Sequence, residues 1–410
     1  MAKKNKKVRR TIVSIGSSHI GAALVEWDNT ASPSLIDFRE SSATSLFRGQ
    51  PTSVEQITEE IRSLLNTLGG PRASGGRDVH VLISHAHLKQ YEFETGLTLG
   101  LEHDQINERD VRLVHEQTRR VINIPLNEKI IASHVQEYTV NDLVGIRNPI
   151  GLAGERLAVK LALFTAPYVF IQQVEKIFER CDIMVRTWYP RSLALAKAVL
   201  EEESIRRSAL LIQIGSTLTE LIGLENFGIR YFHAIPVGIE TVAELMQEEH
   251  TMERQEALAV TEQYGAFGVR PHREEKIPFR SGEGVAQGFV TSGEFNGYLE
   301  SGIGKITAQI FEEIQKAIPN FTQTPKLFVS GRGINMGQLL ERLENKCETH
   351  MAIASGQRRN IGHSSLCSSP LLGRGILLEE EEKAEQQFRN SIHPVKKVTG
   401  AALEWMREHF

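Results

Sequence analysis

Cysteine is scarce in this chain of 410 residues, and its scarcity excludes several classes of small protein. The three cysteines, Cys181, Cys347 and Cys367, are odd in number and form no CxxC or CxH spacing. This pattern is typical of free thiols in a reducing compartment, and it predicts neither a disulfide framework nor a zinc knuckle.

Long apolar runs and a strong net charge are also lacking. No stretch of about 18 apolar residues occurs, which excludes a membrane-spanning helix. The chain starts with basic residues before an apolar segment, as a signal peptide does, but Ser14 and His19 interrupt that segment. We interpret residues 1–10 as a solvated tail or as an additional contact with anionic lipid. The formal net charge of -4 predicts no nucleic-acid partner.

One strand-turn-strand pattern occurs twice in the chain. Period-2 alternation and turn residues predict two meanders, which indicates an internal duplication and two related lobes that face one another. The first meander comprises Thr11–Ile15, His19–Trp27 and Ser34–Phe38, with Gly16, Ser17 and Ser18 in its first turn. The second comprises Ala209–Ile214, Leu218–Leu224 and Ile229–Ala234, with Gly215, Ser216 and Thr217 in the equivalent turn.

Helical periodicity and capping residues predict the elements between and after the meanders. Asn107 is a plausible cap, and Val111, Val114 and Val121 are expected along one side of their helix. The run Glu379–Glu382 is expected on a solvated helix face. Predicted helices are Val54–Leu68, Asn107–Val121, Pro167–Cys181, Met252–Gly265, Glu294–Ile318, Met336–Cys347 and Leu378–Phe388; predicted strands are Val79–Ser84 and Lys326–Ser330; Phe267–Ser292 is expected to be loop.

Glycine-rich turns suggest the chemistry of the space between the lobes. Backbone N–H groups of the two turns can approach a polyphosphate closely, because glycine and serine are small. A third glycine loop, Gly331, Arg332 and Gly333, follows a strand and is expected beside the same cleft, where it could hold an adenosine. These nine turn residues are the candidate nucleotide site.

Hydrolysis requires more than such a cradle, because carboxylates must hold Mg²⁺ near the phosphates. The residues two before each turn glycine are Ser14 and Gln213, both neutral, and Glu220 lies beyond the second turn. The sequence therefore predicts no catalytic residue and no metal site. His85 and His87 have metal-like spacing without a third ligand, and we interpret them as the structural end of a strand.

The last residues form an amphipathic segment. On a helical wheel, Val398, Ala402, Leu403, Trp405, Met406 and Phe410 share one sector, and the cations Lys397 and Arg407 flank it. This arrangement is typical of a helix that lies at a membrane interface. A terminal helix packed on its own lobe would show the same apolar face.

The duplicated hairpins and the third glycine loop resemble the actin and Hsp70 superfamily. Several motifs narrow the resemblance to FtsA, the bacterial division protein. The motifs are Ser84–Lys89, Glu108–Val111, Ile124–Pro125, Gln136–Tyr138 and Gly145–Leu157. The fold class implied is α/β: an actin/Hsp70-like duplicated two-lobed fold with an FtsA-type inserted small domain and a C-terminal amphipathic helix.

The resemblance also implies a division of the chain into domains. The expected parts are 1–10, basic tail; 11–84 and 168–207, first lobe; 85–167, inserted small domain; 208–249 and 322–378, core of the second lobe; 250–321, a smaller subdomain of that lobe; 379–397, linker with an acidic helix; and 398–410, membrane-targeting helix.

As function, the resemblance implies a peripheral protein at the division site, on the cytoplasmic face of the bacterial membrane. Its expected partners are the FtsZ C-terminal tail, bound near residues 250–321, further copies of the chain in actin-like polymers, later division proteins and membrane lipids. ATP is the cofactor of the family. Family members place Asp where this chain has Ser14 and Gln213, and Glu and Lys where it has Leu258 and Thr261. We therefore hypothesise a degenerate nucleotide site.

Two alternatives stay open. The chain could be an active ATPase or sugar kinase of the same superfamily, or a PilM-like platform that captures a peptide of a membrane protein. Near the middle of the long predicted helix, Gly302 aligns with a position where the family carries Arg. The mode of FtsZ binding at this position is therefore left open.

Overall fold

The computed structural model describes residues 7–28, 32–43, 45–47, 49–68, 78–100, 105–266, 275–280, 287–354 and 368–391. Within these ranges the strands are β1 (Val8–Ile15), β2 (His19–Trp27), β3 (Ser34–Ser42), β4 (Leu46–Phe47), β5 (Gln50–Pro51), β6 (Asp78–Ile83), β7 (Lys89–Thr98), β8 (Glu128–Val140), β9 (Leu143–Ile146), β10 (Arg156–Pro167), β11 (Met184–Pro190), β12 (Ala209–Ile214), β13 (Thr219–Glu225), β14 (Gly228–Ile235), β15 (Lys276–Arg280), β16 (Gln287–Thr291), β17 (Lys326–Ser330) and β18 (Ala352–Ile353). The helices are α1 (Val54–Thr67), α2 (Glu108–Val121), α3 (Tyr168–Arg180), α4 (Arg191–Val199), α5 (Glu202–Arg207), α6 (Glu240–Glu249), α7 (Arg254–Gly265), α8 (Ser292–Ala317), α9 (Leu339–Cys347) and α10 (Ser368–Ser391), with short 3₁₀ turns at Ile318–Asn320 and Arg332–Asn335.

Two five-stranded sheets of the same topology confirm the duplication. One sheet has the order β11-β6-β1-β2-β3 and the other β14-β13-β12-β17-β18. In each, a three-stranded antiparallel meander is extended by two parallel strands beside its first strand. The first meander strand is therefore central in each sheet. Its apolar side chains are buried on both faces, as expected of a strand covered on both sides.

Packing joins the two lobes into one body. On β12, Ala209 and Leu211 belong to the same buried cluster as the first-lobe sheet, whereas Leu210 and Ile212 face the second lobe's own core. This alternation follows the period of two along a strand. By the same alternation Gln213 lies on the face of β12 that turns towards the first lobe.

The chain between β6 and α3 forms a separate antiparallel sheet with the order β7-β10-β8-β9, covered by α2. Its own apolar core includes Val114 of α2 and Leu161 of β10. Asn107 caps α2 with a reciprocal capping box that involves Asp110, so the predicted cap is confirmed. The predicted apolar side is only partly right, because Val121 is half exposed and Thr118 is buried in its place.

The predicted loop over Phe267–Ser292 is wrong where the structure describes it. Here β15 and β16 form an antiparallel hairpin. Gly288 weakened the strand signal, but the ring of Phe279 lies across it, and a Cβ at Gly288 would meet that ring at 2.3 Å. An aromatic side chain that covers a glycine on the neighbouring strand restores the packing that the glycine lacks.

Helix α10 corrects two predictions about the C-terminal region. It begins ten residues before the predicted Leu378 and packs on α4, β1 and β2. Residues 368–378 therefore belong to the first lobe rather than to the second. Glycine makes this close approach feasible, because a Cβ at Gly373 would meet the Ala194 carbonyl oxygen at 1.8 Å.

The acidic run on α10 is not simply a solvated face. Glu379 is buried, and Glu381 accepts hydrogen bonds from the buried guanidinium of Arg374 at 2.6 and 3.4 Å. Arg374 also donates to Thr187 and lies over the ring of Tyr189. A buried arginine requires such partners, so part of the run is retained inside the packing.

Candidate functional site in the cleft between the lobes

The two glycine turns have the same local geometry. In the first, the N–H of Gly16 donates to the carbonyl of His19 at 2.9 Å, and in the second Gly215 donates to Leu218 at 2.9 Å. A Cβ would lie 3.0 Å and 2.7 Å, respectively, from the accepting oxygens. Each turn therefore requires glycine for a backbone reason that does not depend on a ligand.

Direct hydrogen bonds connect the two turns across the cleft. The hydroxyl of Ser18 donates to the hydroxyl of Ser216 at 2.9 Å, and the N–H of Thr217 donates to Ser17 Oγ at 3.4 Å. Ser18, Ser216 and Thr217 are all buried. The turns that were predicted to cradle phosphate thus contact each other where they meet.

The third glycine loop lies beside these turns. Gly331 has a φ of 99° and lies against the Ile214 carbonyl, at 2.2 Å from a hypothetical Cβ, so a side chain is excluded there. Arg332 lines the cleft and pairs with Glu40 at 2.9 Å. Gly333 packs on the side chain of Ile214 instead of facing the cleft.

Ser14 and Gln213 do lie at the cleft, as expected from their positions before the turns. Ser14 Oγ accepts a hydrogen bond from Arg191 Nε at 3.2 Å. Gln213 is buried, and its Oε1 has no partner among the described residues. Sequence reasoning missed Arg191, because Pro190-Arg191 marks a helix start without showing which way the side chain points.

The cleft encloses little space. Its cavity volume is about 50 Å³, and the lining residues are Ser14, Gly16, Ser17, Ser18, His19, Gly21, Glu40, Arg191, Gln213, Gly215, Ser216, Gly331 and Arg332. A buried water needs roughly 10–15 Å³ of such volume, so the cavity has room for only a few waters. Pockets for drug-sized ligands have roughly 300–1,000 Å³.

A buried carboxyl group lies behind the second turn. Glu220 accepts a hydrogen bond from the hydroxyl of Ser84, at the end of β6 in the other lobe, at 2.7 Å. Burial raises the pKa of Glu220 to about 7, against the opposing effects of Ser84 and Arg191. Glu220 therefore changes charge near neutral pH while it bridges the lobes.

The two positions that the family resemblance assigned to nucleotide contacts on α7 serve packing here. Thr261 is buried and its hydroxyl donates to the Ala257 carbonyl at 2.8 Å. Leu258 packs on the core of the second lobe.

The inserted domain binds the second lobe through a side-chain amide. Gln136 of β8 accepts the N–H of Ile229 at 2.5 Å and donates to its carbonyl at 2.6 Å. This pair of bonds satisfies the outer edge of β14 as a neighbouring strand would. His134 contacts the carbonyl of Phe227, and Arg147 lies over the Phe227 ring at 5.1 Å. The motifs Gln136–Tyr138 and Gly145–Leu157 therefore include residues that hold the insert against the second lobe.

The histidine pair at the start of the insert has a structural arrangement. His85 is buried, stacks on Phe170 with ring centres 4.5 Å apart, and its Nδ1 accepts the N–H of His87 at 3.1 Å. Burial lowers the pKa of His85 to about 4. Across the described ranges, no group of three or more His, Cys, Asp or Glu side chains has the geometry of a metal site.

The predicted membrane-binding residues, Lys397 and Arg407 with the apolar sector from Val398 to Phe410, lie outside the described residues. Among the helices that the structure does describe, none has the length and apolar character needed to span a membrane.

Comparison with known proteins agrees with this architecture. A family profile described as the SHS2 domain inserted in FtsA matches residues 86–165. The curated relatives include the cell division protein FtsA of Neisseria meningitidis, 25% identical over 228 residues that cover 56% of this chain and 54% of the relative. FtsA of Buchnera aphidicola (strain Bp) is 21% identical over 391 residues, 92% of each chain. The chain thus matches about half the length of the first relative and nearly all of the second.

Solved structures show the fold. The PilM-PilN type IV pilus biogenesis complex has a chain that matches with a TM-score of 0.61 at 13% identity, over 91% of this chain and 98% of that one. MreB5 of Spiroplasma citri bound to ADP matches with a TM-score of 0.50 at 12% identity, over 92% and 98%. This chain therefore resembles FtsA in sequence, and it has an actin-like fold of two related lobes with an inserted segment that matches the SHS2 domain of FtsA.

Proposed function

We propose that the protein is an adaptor of the cell-division machinery that tethers FtsZ filaments to the inner face of the cytoplasmic membrane. The observation that carries the proposal is the FtsA-type insert at 86–165, held between two actin-like lobes. The region 250–321 would receive the FtsZ tail, and the helix 398–410 would insert shallowly into the lipid. Self-association into actin-like polymers would supply avidity, because one Trp and one Phe give modest membrane affinity.

The FtsZ site would not centre on Gly302. A Cβ there would meet Val242 Cγ2 at 2.4 Å, so an Arg at this position has no room. If α8 contacts the FtsZ tail, it does so through its other side, where Gly297 and Gly304 have open space.

We infer further that the cleft does not take Mg-ATP and that the protein acts without catalysis. Three features support this inference. The serine hydroxyls bond across the cleft, the cavity holds only a few waters, and Ser14 and Gln213 supply no carboxylate for Mg²⁺. The lobes are then held by direct contacts rather than by a nucleotide. An active ATPase or kinase, the alternative function, would need the missing acids.

Liposome flotation tests the tether. Full-length protein should carry a labelled FtsZ C-terminal tail peptide into the floating fraction with anionic vesicles, without nucleotide. Trp405→Glu should reduce flotation to the background of protein without vesicles, because it places a charge in the apolar sector. Leu126→Glu is the matched control, since Leu126 is fully exposed and lies in the described structure outside that helix.

Two results would contradict the proposal. Flotation of Trp405→Glu like wild type would show that the terminal helix packs on the protein. Flotation of the protein without the peptide would favour the PilM-like alternative, in which another peptide is captured.

A further inference from the structure

A second cavity, which we call the insert groove, lies between the inserted domain and the second lobe. Its volume is about 350 Å³, at the lower end of the roughly 300–1,000 Å³ of small-ligand pockets. Junctions between domains are a frequent place for such pockets. The polar walls of the groove are formed by Gln90, Glu92 and Lys160 of the insert and by Arg230, Tyr231 and Asn320 of the second lobe.

Arg230 places a partly neutralised guanidinium in the insert groove. Its Nε lies 3.4 Å from Glu225 Oε2, but this contact lacks hydrogen-bond geometry. The Glu225 carboxylate instead accepts the N–H and the hydroxyl of Thr322, at 3.1 and 2.7 Å. Within the described part of the chain, no other ion pair or side-chain hydrogen bond involves Arg230. The terminal nitrogens of its planar guanidinium are therefore available to a carboxylate, which arginine binds through two parallel N–H groups.

Glu92 offers the opposite charge from the insert side of the groove. Its side chain is 40% exposed and pairs with Lys160 of β10 at 2.8 Å. It also accepts Gln136 Nε2 at the long distance of 3.5 Å. A carboxylate has about four lone-pair sites, so Glu92 can accept a further N–H while Lys160 stays bound. The groove thus presents a donor for an anion and an acceptor for a cation.

Two polar atoms in the walls of the insert groove lack hydrogen bonds. They are Gln90 Oε1 and Arg230 Nε, which are buried without a partner among the described residues. The Gln90 amide is oriented by its Nε2, which donates to the Ile229 carbonyl at 3.4 Å, so a flipped amide would lose that bond. Native proteins leave few buried polar atoms unpaired, because each one costs free energy. These two atoms indicate a groove whose hydrogen bonding is completed by an occupant.

The balance of charge and the volume of the groove indicate the class of this occupant. Arg230 lies beside the buried Glu225, and Lys160 lies beside Glu92, so neither sign of charge is in excess. A lone anion would be attracted by Arg230 and repelled by Glu92, and a lone cation would meet the reverse. A zwitterion satisfies both groups. About 350 Å³ suits a molecule the size of a free amino acid or a dipeptide.

We propose that the insert groove binds a small zwitterion of the amino-acid or dipeptide class, with Arg230 as the ligand of its carboxylate and Glu92 as the ligand of its ammonium group. The bound molecule bridges the insert and the second lobe next to the contact of Gln136 with Ile229. Occupancy therefore holds the insert more firmly on the second lobe. This site lies apart from the cleft between the lobes and goes beyond the proposed function, because neither the tether nor the nucleotide-free cleft assumes it.

Calorimetric titration of the full-length protein with alanylalanine tests the site. The free dipeptide should bind with a Kd below about 1 mM. Its N-acetyl derivative lacks the ammonium group and its amide lacks the carboxylate, so each should bind at least about tenfold more weakly through the loss of a charge-assisted hydrogen bond. The free dipeptide at about a hundred times its Kd should also raise Tm by roughly 2 to 4 °C.

Variants of the groove make the test specific. Arg230→Gln and Glu92→Gln should each raise the Kd of alanylalanine at least about tenfold. Arg186→Gln and Glu55→Gln are the matched controls and should keep the wild-type Kd, because they remove an exposed arginine and an exposed glutamate whose ion-pair partners lie outside the groove. If Arg230→Gln unfolds, Glu92→Gln and the two dipeptide derivatives on wild type decide the question.

Three results would overturn the zwitterion site. They are a Kd for alanylalanine above about 1 mM, an N-acetyl derivative that binds as tightly as the free dipeptide, and a folded Arg230→Gln or Glu92→Gln variant that keeps the wild-type Kd. Tight binding of the acetylated form would indicate that the groove takes an internal segment of a longer peptide. Each of these results leaves the tether intact as long as flotation with the FtsZ peptide succeeds.

Discussion

At the scale of single residues, charge is arranged at the cleft in an unusual way. The neutral Ser14 lies before the first turn, the cation Arg191 donates a hydrogen bond to it, and the buried acid Glu220 lies behind the second turn with Ser84 as its hydrogen-bond donor. The hydroxyl groups of Ser18, Ser216 and Ser84 thus form hydrogen bonds between the lobes. A change in the protonation of Glu220 can therefore weaken or strengthen the contact between the lobes.

We predict that Glu220 makes the protein less stable as the pH rises. Its pKa is raised to about 7 in the folded state from an ordinary value of 4.5, so the folded protein binds the proton more tightly than the unfolded chain does. Its stabilising contribution is then fully present below pH 4.5 and is lost as the pH rises through 7. The loss is on the order of 2 to 3 kcal/mol.

Glu220→Gln checks this prediction in urea denaturation at pH 5 and pH 8. The variant keeps the acceptor for Ser84 but does not ionise. Its free energy of unfolding, relative to that of wild type, should therefore increase by about 2 to 3 kcal/mol from pH 5 to pH 8. Buried histidines such as His115 and His134, whose pKa values are lowered to about 4 chiefly by burial, act in the opposite direction but cancel in this difference. Glu248→Gln, at an exposed site on α6, is the control. Parallel curves for Glu220→Gln and wild type would show that the carboxyl is ionised throughout.

At the scale of elements, the sequence pattern predicted a helix or strand correctly where the element's own residues define it. The meanders, the cap at Asn107 and helices α1 and α3 are recognisable because alternation, capping residues and helical spacing are local signals. The sequence pattern failed where another element supplies the packing contacts that the segment itself lacks. Phe279 covers Gly288 in the β15–β16 hairpin, Gly373 of α10 packs on Ala194 of α4, and Gly375 of α10 packs on Val25 of β2. The partners of α10 are far away in the sequence, and the short segment that holds Phe279 and Gly288 does not itself show that the ring covers the glycine.

The candidate site shows the same limit. The three glycine loops were recognisable from composition, but the bond from Ser18 to Ser216 joins residues of different lobes, and the position of Arg191 depends on how α4 packs. Only the tertiary arrangement shows that these turns meet each other. The terminal helix, predicted from its amphipathic sector, stays a prediction.

Helix α8 provides a matched pair of glycines for a prediction about packing. Gly302 faces Val242 of α6, with a Cβ clash at 2.4 Å, whereas Gly304 has open space around it. Gly302→Ala should therefore destabilise the protein by about 1 to 3 kcal/mol through overpacking. Gly304→Ala should stabilise it by about 0.5 to 1 kcal/mol through helix propensity.

Urea denaturation of both variants measures the two effects in one helix. Equal and small effects would mean that α8 does not pack on α6 as described. A stabilising Gly302→Ala would have the same meaning and would reopen that position to a larger side chain.

At the scale of the whole molecule, connections of several kinds bring the lobes together. They include the hydrogen bonds and the Arg332–Glu40 ion pair at the cleft, the shared apolar cluster behind it, and the inserted domain held by Gln136 on the edge of β14. The insert departs from the first lobe and reaches the second, so movement of one lobe against the other must break its contacts too. Contacts of these kinds hold the lobes together without a bound nucleotide, as the proposed tether requires.

Calorimetric titration of the full-length protein with Mg-ATP tests this central claim most directly. We predict no heat of binding beyond dilution and no change in Tm, because the turns bond to each other and the neutral side chains of Ser14 and Gln213 offer the metal no carboxylate. Micromolar binding that requires Mg²⁺ would contradict the account. It would show that the cleft opens to accept a nucleotide.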